Sequence, residues 1–223
     1  MAYKVIITGT TGMVGEGVMM ACLADPRIAG VLSVSRKPTG RSHPKLKEYL
    51  VSDFLNLKKG DENLQGYDGC FFCTGVSSIG MKEAEYSRLT YDLTTHFAGV
   101  LPQRDMAFIY VSGSGTDSSE KGRLMWARVK GKTENALLKM SFKKVYCFRP
   151  GLMKPTPGQR NVLKLYRYAG WMYPILKAVF PNSAGTLRQV GQAMIHCLIN
   201  GGDKQIMEVK DINHAGGSAA EGR

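Results

Sequence analysis

Three glycines near the N-terminus constrain the fold of this chain more than any other feature. They lie in the segment Thr8-Gly9-Thr10-Thr11-Gly12-Met13-Val14-Gly15. A β-branched run, residues 4–8, precedes them, and a segment of helical period, residues 13–24, follows. The first glycine permits a sharp turn, the second lets backbone N–H groups approach a diphosphate, and the third lets the helix pack closely on the strand. The pattern predicts a dinucleotide diphosphate at the positive end of this helix.

The rest of the chain alternates short apolar runs with longer segments of helical period, which is typical of repeated βαβ units. Strands are predicted at residues 4–8, 31–35, 48–52, 69–74, 107–112, 144–149 and 205–209. Helices are predicted at residues 13–24, 82–100, 123–140, 161–169 and 188–199. We expect an α/β fold, a doubly wound parallel sheet with helices on both faces.

One domain is expected over residues 1–212, within which residues 151–185 form a small lid over the substrate cleft. The basic, aromatic segment 163–180 is interpreted as part of this cover or as an oligomer contact, with a membrane-surface helix as the alternative. The small, polar residues 213–223 are expected to be a disordered tail.

The chain is strongly basic, with 30 lysines and arginines against 18 acidic residues and a formal net charge of +12. This excess favours anionic ligands. The basic residues are nevertheless scattered, without the aromatic interleaving of a nucleic-acid surface, so we expect solvated surface and no nucleic-acid partner. A face that binds polyanions is the alternative.

Five cysteines, mostly within apolar runs, indicate buried thiols in a reducing compartment. Cys70 and Cys73 form a C-x-x-C pair, but the pair ends a predicted strand and no second cysteine or histidine pair completes a zinc site, so no metal is predicted. The sequence shows no signal-peptide pattern and no apolar stretch of the ~20 residues that span a bilayer. A cytoplasmic location without stable membrane insertion is therefore expected.

The glycine loop resembles that of the extended and atypical short-chain dehydrogenase/reductase superfamily, whose opening is T-G-x-x-G-x-x-G. The resemblance spans residues 3–199, and four stretches at the carboxyl ends of predicted strands support it, namely Asp53-Phe54, Cys73-Thr74-Gly75, Val111-Ser112-Gly113-Ser114 and Arg149-Pro150-Gly151. Residues 129–134 and 148–151 resemble, more narrowly, the Tat-interacting-oxidoreductase-like and NmrA-like proteins. The resemblance implies a Rossmann-type fold and an NAD(P)-binding oxidoreductase or an enzyme of the NAD-dependent epimerase/dehydratase type.

The second predicted strand ends at Arg36 and Lys37, where a chain that prefers NAD usually places an acid for the ribose 2′-hydroxyl. A guanidinium offers paired donors to a 2′-phosphate instead, with Arg41 as a nearby cation, so NADP is predicted and NAD is the alternative. The cofactor contacts expected from the loop and from the resemblance are Gly9, Thr10, Thr11, Gly12, Met13, Val14, Gly15, Arg36, Asp53, Phe54, Cys73, Thr74, Gly75, Lys130, Pro150 and Gly151. Among these, the resemblance implies adenine contacts for Asp53 and Phe54 and ribose contacts for Cys73-Thr74-Gly75.

The catalytic pattern that the resemblance implies is incomplete. Reductases of the superfamily place Tyr-x-x-x-Lys on one helix face, so that the lysine lowers the tyrosine pKa from its usual ~10. Lys130 fits the lysine, and Ser112 or Ser114 fits the serine that orients the substrate oxygen. Trp126 stands where the tyrosine is expected, and an indole cannot serve as a general acid or base.

Three interpretations stay open. In the first, the chain is a reductase or epimerase of a small carbonyl substrate, and the proton comes from Tyr86, Tyr91, Tyr110 or a water held by Ser112. In the second, it binds NADP without catalysis, as a sensing, regulatory or protein-interaction protein. In the third, the alignment is shifted, although no tyrosine lies between Tyr110 and Tyr146. The resemblance also implies a homodimer through the helices after the fourth and fifth strands, and the sequence identifies no substrate.

Overall fold

The structure, a computed structural model, describes residues 2–162 and 184–221. Its strands are β1 (Tyr3–Thr8), β2 (Ile28–Ser35), β3 (Leu46–Leu50), β4 (Gly69–Phe72), β5 (Ala107–Val111), β6 (Lys144–Arg149), β7 (Leu152–Lys154), β8 (Ala184–Thr186) and β9 (Ile206–Glu208). Seven of them form one parallel sheet in the order β3-β2-β1-β4-β5-β6-β9, and β7 pairs with β8 separately. The strand order reverses between β1 and β4, so a crevice opens there at the carboxyl ends of the strands.

Helices cover both faces of the sheet in the described part of the chain. They are α1 (Met13–Ala24), α2 (Glu83–Ser87), α3 (Leu93–Val100), α4 (Met125–Leu138), α5 (Leu187–Asn200) and α6 (Val209–Glu221), with a π-helical turn at Arg88–Asp92 between α2 and α3. Successive strand side chains point to opposite faces. Phe72 accordingly packs in the core under α3 and α4, whereas Phe71 packs in the core under α1 and α5.

The predicted fold class is confirmed, and the differences lie mainly at element boundaries. Strand β2 begins at Ile28, earlier than the predicted residue 31, because Ile28 is buried and pairs with Tyr3 of β1. The predicted helix 82–100 contains the π-helical turn. Most of the predicted helix 161–169, most of the lid 151–185 and all of the aromatic segment 163–180 lie outside the described residues.

The C-terminus differs from the expected disordered tail, because α6 continues to Glu221. Ile212 and Ala215 are buried in the same core as α5. A Cβ atom at Gly216 would lie 2.3 Å from the carbonyl oxygen of Gln189, so the absence of a side chain lets the two helices approach. The small residues that suggested disorder therefore permit close packing. No helix of the described residues is long and apolar enough to cross a bilayer.

Candidate functional site

The glycine loop has the geometry that its sequence predicts. Gly9 has a φ of +69°, and a Cβ atom there would lie 2.7 Å from the carbonyl oxygen of Cys73. A Cβ atom at Gly15 would lie 2.2 Å from the carbonyl oxygen of Gly9, and the Gly12 N–H donates to that same oxygen at 2.9 Å. Only glycine fits at positions 9 and 15, because any side chain there would meet backbone atoms.

Two threonines attach the loop to the sheet. The Thr8 hydroxyl oxygen accepts hydrogen bonds from the backbone N–H groups of Cys73 and Thr74, both at 3.2 Å, and so joins the ends of β1 and β4. The Thr10 hydroxyl is fully buried and shares a hydrogen bond of 2.7 Å with Ser33. The side chain of Thr10, predicted to contact the cofactor, therefore points into the protein.

A cleft of about 480 Å³ lies beside the loop. Nine of the predicted cofactor residues line it, namely Gly9, Thr11, Gly12, Arg36, Asp53, Phe54, Cys73, Thr74 and Gly75. Sequence reasoning missed further lining residues, Ser35, Ser52, Val76, Leu89 and Leu93. Met13 and Gly15 are buried in α1, Val14 packs against the core there, and Pro150 and Gly151 follow β6 outside this cleft.

The polar groups of the cleft suit a nucleotide. The Thr74 hydroxyl is buried and has no hydrogen-bond partner among the described residues, so a ligand hydroxyl can satisfy it. No carboxylate of the described residues forms an ion pair with the exposed Arg36. Arg41, the second predicted phosphate ligand, instead pairs with Glu16 at 2.5 Å. The predicted cation set is thus reduced to Arg36 and the exposed Lys37.

Ser112 does not occupy the position that its predicted catalytic role requires. Its buried hydroxyl lies 2.5 Å from Glu134 Oε1, to which it donates, and 3.1 Å from the carbonyl oxygen of Phe148. A serine that orients a substrate oxygen has to present its hydroxyl to the crevice. The hydroxyl of Ser112 points into the protein interior, where its hydrogen bonds stabilise the end of β5.

Glu134 is the centre of a buried ionic network that the sequence did not reveal. Its carboxylate accepts from Arg149 Nε at 3.0 Å and from Arg149 Nη2 at 2.5 Å. Arg149 also donates to Glu208 at 3.0 Å and to Ser118 at 2.5 Å. The hydrogen bonds to Glu134 raise the pKa of the Arg149 guanidinium above its ordinary value. This network joins α4 to the carboxyl ends of β6 and β9.

Lys130 lies at the carboxyl end of β5 and is not among the residues that line the cleft. Its ammonium group donates to the carbonyl oxygen of Ser112. Burial lowers the pKa of Lys130 to about 8, although the negative charge of Glu134 acts in the opposite direction. A Cβ atom at Gly113 would lie 3.8 Å from Lys130 Nζ. Trp126, one helical turn earlier, packs over Gly115, where a Cβ atom would lie 3.3 Å from the indole ring.

The tyrosines considered as proton donors are buried or contact another lysine. Tyr86 and Tyr110 are buried, and burial raises the pKa of both hydroxyls, that of Tyr110 well above its ordinary value. Tyr91 packs under the ammonium group of Lys132, 4.5 Å from the ring centroid. Residues two apart on a helix face different directions, so Tyr91 lies on another side of α4 from Lys130.

The cysteines are free thiols, and Cys73 alone of the five is partly exposed. Burial raises the pKa of Cys73 to about 12, so its thiol is protonated near neutral pH. Within residues 2–162 and 184–221, no group of three or more histidine, cysteine, aspartate or glutamate side chains is arranged to hold a metal ion.

The chain has curated relatives of low identity. It is 24% identical over 199 residues to "Protein FMP52, mitochondrial" of Coccidioides immitis, which covers 80% of this chain and 79% of the relative. It is 28% identical over 196 residues to "Protein fmp52-1, mitochondrial" of Aspergillus terreus, covering 82% and 83%. It is 24% identical to "Leucinostatins biosynthesis cluster protein T" of Purpureocillium lilacinum, covering 98% and 90%. No established protein-family profile matches the chain.

Solved structures of similar fold are short-chain dehydrogenases and epimerases. UDP-glucuronic acid 4-epimerase of Bacillus cereus, in complex with NAD, has a TM-score of 0.65 at 13% identity and covers 99% of this chain and 85% of its own. L-Sorbose reductase of Gluconobacter frateurii, in complex with NADPH and L-sorbose, has a TM-score of 0.60 at 12% identity, covering 88% and 89%. The chain therefore has the short-chain dehydrogenase/reductase fold.

These comparisons also correct one expectation. The sequence predicted a cytoplasmic location, but the names of the FMP52 relatives place them in mitochondria. The prediction depended on the lack of a secretory signal and of a bilayer-spanning stretch, and neither pattern distinguishes the cytoplasm from mitochondria. The narrower resemblance to Tat-interacting-oxidoreductase-like and NmrA-like proteins stays a prediction.

Proposed function

We propose that this chain binds NADP(H) in the cleft beside its glycine loop and acts as an oxidoreductase of the short-chain type on a small carbonyl substrate. The observation that carries the proposal is the cleft itself. It lies at the reversal of strand order, between a loop in which Gly9 and Gly15 have no room for a side chain and Arg36, which forms no ion pair with the described residues. Relatives of the same fold are solved with NADPH or NAD.

Each part of the cleft has a role in this proposal. The backbone N–H groups of Thr11 and Met13, at the start of α1, hold the diphosphate. Asp53 and Phe54 hold the adenine, and the Thr74 hydroxyl bonds the adenine ribose. Lys130 bonds the ribose of the nicotinamide half. The bound nicotinamide supplies hydride transfer.

Arg36 is expected to set the preference for NADP(H). In the Arg36→Ala variant we expect the Kd for NADPH to rise by about 10- to 100-fold, since a hydrogen bond to a charged group contributes about 1.5–3 kcal/mol. The Kd for NADH should change by less than about threefold. Titrations that follow nicotinamide fluorescence measure both constants, and Lys59→Ala, an exposed lysine in a loop outside the cleft, is the control. Equal losses for the two cofactors would contradict the assignment of Arg36.

A second candidate function is a non-catalytic NADP(H)-binding regulatory protein. Two observations favour it: Trp126 occupies the tyrosine position, and the Ser112 hydroxyl is bonded to Glu134. Both functions need the cleft, but only the reductase needs a proton donor within about 2.6–3.2 Å of the substrate oxygen.

Turnover distinguishes the two candidates. For a reductase we expect NADPH absorbance to fall when aldehydes, ketones or quinones are added. Lys130→Met should lower kcat/KM by about 10- to 100-fold, because a hydrogen bond from a charged group to the ribose contributes about 1.5–3 kcal/mol. Lys132→Met, an exposed lysine on another side of α4, is the matched control. Tight NADPH binding without turnover in the wild type and in Trp126→Tyr would favour the regulatory protein.

The location and the assembly are also proposals. The FMP52 relatives support a mitochondrial location, which fractionation of cells that express the tagged chain tests. A homodimer through α3 and α4 follows from the resemblance, and light scattering of the purified protein tests it.

A further inference from the structure

The carboxylate of Glu16 connects three separate parts of the chain. Its Oε1 accepts from Arg41 at 3.0 Å (Nε) and 2.5 Å (Nη2). The backbone N–H of Arg160 donates to both oxygens, at 3.0 and 3.1 Å, and the N–H of Asn161 donates to Oε2 at 2.7 Å. We call Glu16, Arg41, Arg160 and Asn161 the Glu16 clasp. It joins the first turns of α1, the loop after β2 and the segment after β7.

The same three parts are tied by further bonds around the carboxylate. Arg41 donates to the carbonyl oxygen of Gly158 at 2.7 Å, and Arg160 donates to that of Gly40 at 2.8 Å. Each segment thus donates an arginine to the backbone of the other. Gln159 donates to the carbonyl oxygen of Met13 at 2.8 Å, at the start of α1. Glu16 lies between these contacts, and its carboxylate carries the negative charge that they surround.

The charge of Glu16 makes the clasp cooperative. The side chain is 1% exposed, and a buried carboxylate needs its partners in place to stay ionised. Burial opposes ionisation, but the N–H groups of Asn161 and Arg160 and the Arg41 guanidinium outweigh it, so the pKa of Glu16 lies below its ordinary value. Loss of either the 40–41 loop or the 160–161 segment leaves the carboxylate short of donors. The two segments are therefore ordered together.

Two of the segments that the clasp joins are also part of the cofactor cleft. The loop after β2 begins with Arg36, which lines the cleft, and α1 begins with the glycine loop. The segment with Arg160 and Asn161 follows β7 and belongs to residues 151–185, which the sequence predicts to be the substrate lid. In the clasp, both segments contact α1 through the buried charge of Glu16.

We propose that Glu16 is a positioning residue that makes NADP(H) binding at Arg36 and the order of residues 156–162 depend on each other. The part of this inference that concerns NADP(H) binding rests on the proposed function. The coupling between the two segments is independent of that function. Through Glu16, a ligand that orders the 36–41 loop also orders the segment that leads towards the substrate side.

The test compares Glu16→Gln with a matched control. Glutamine keeps the size of the side chain and removes its charge. Glu48→Gln is the control, because Glu48 Oε1 also accepts a hydrogen bond from this loop, from Thr39 N at 2.7 Å, but Glu48 is exposed. Hydrogen exchange of the protein without cofactor is followed in peptides that cover residues 37–43 and 156–162. Kd values for NADPH and NADH are then measured for the three proteins.

In Glu16→Gln we expect hydrogen exchange to be about 10-fold faster in both peptides and unchanged in β1 and β4. The Kd for NADPH should rise about 10-fold. Effects of this size are in the range of coupling energies between residues in contact. Glu48→Gln should change exchange in the first peptide at most. Faster exchange in one peptide alone, or in neither, overturns the coupling. If Glu16→Gln does not fold, Arg41→Gln gives the same test with a smaller expected effect.

The outcomes separate this inference from the proposed function. If the wild type binds neither NADPH nor NADH, the proposed function fails, and the exchange of the two peptides still tests the clasp. If NADPH binds with equal Kd to the wild type and to Glu16→Gln, the positioning role of Glu16 is overturned while the proposed function stands.

Discussion

Replacing Glu134 by alanine is expected to lower the free energy of unfolding by about 3 kcal/mol or more, because it leaves the guanidinium of Arg149 without its buried partner. Arg149 keeps its bond to Glu208, whose side chain is 44% exposed, so the loss should lie near the lower end of the range for broken buried pairs. Urea denaturation followed by circular dichroism measures the change. A loss below about 1 kcal/mol would contradict a structural role for the network.

Glu208→Ala is the control for this experiment, since it removes the more exposed carboxylate from the same arginine. We expect it to cost less than about 1 kcal/mol, as is usual for exposed ion pairs. The double variant Glu134→Leu with Arg149→Met supplies the converse test. Removing both charges together should recover most of the stability that Glu134→Ala loses, because no unpaired charge remains in the interior.

Gly15→Ala is expected to weaken NADPH binding by about 100-fold. The added Cβ atom would lie 2.2 Å from the carbonyl oxygen of Gly9, so the glycine loop has to move away from α1. A displacement that costs about 3 kcal/mol, the upper range for overpacking, corresponds to about 100-fold in Kd. Fluorescence titration with NADPH measures the change, and circular dichroism reports whether the fold is kept.

Gly99→Ala is the matched control, a glycine of α3 with no atom within 4 Å of its added Cβ. Alanine in a helix is more favourable than glycine by about 0.5–1 kcal/mol, so this variant should be slightly more stable and should bind NADPH like the wild type. If Gly15→Ala keeps the wild-type Kd, the glycine loop is not the diphosphate site.

The sequence was sufficient to predict the fold and nine of the residues that line the cleft. Both depend on local patterns, because the glycines follow a strand directly and Asp53, Cys73 and Thr74 follow later strands. The carboxyl ends of parallel strands meet at one edge of the sheet, so these positions converge once the strand order is known.

The parts that the sequence did not predict depend on which way a side chain points. Ser112 stands where a reactive serine is expected, yet its hydroxyl donates to Glu134 of α4, the helix that follows β5. Arg41 resembles a phosphate ligand until Glu16 is seen beside it. Leu89 and Leu93 fit a helical period of core residues, but both line the cleft, Leu89 from the π-helical turn and Leu93 from the start of α3.

The small sheet of β7 and β8 fixes the two points at which residues 155–183, here called the module, leave and rejoin the main fold. The two strands pair in parallel, Leu152 with Ala184 and Lys154 with Thr186, so the module leaves and returns at fixed points. Thr186 then caps α5 with a capping box, which restarts the main fold immediately after the module. Exchange of residues 163–183 alone, with Arg160 and Asn161 kept as donors to Glu16, should therefore leave the seven-stranded sheet intact.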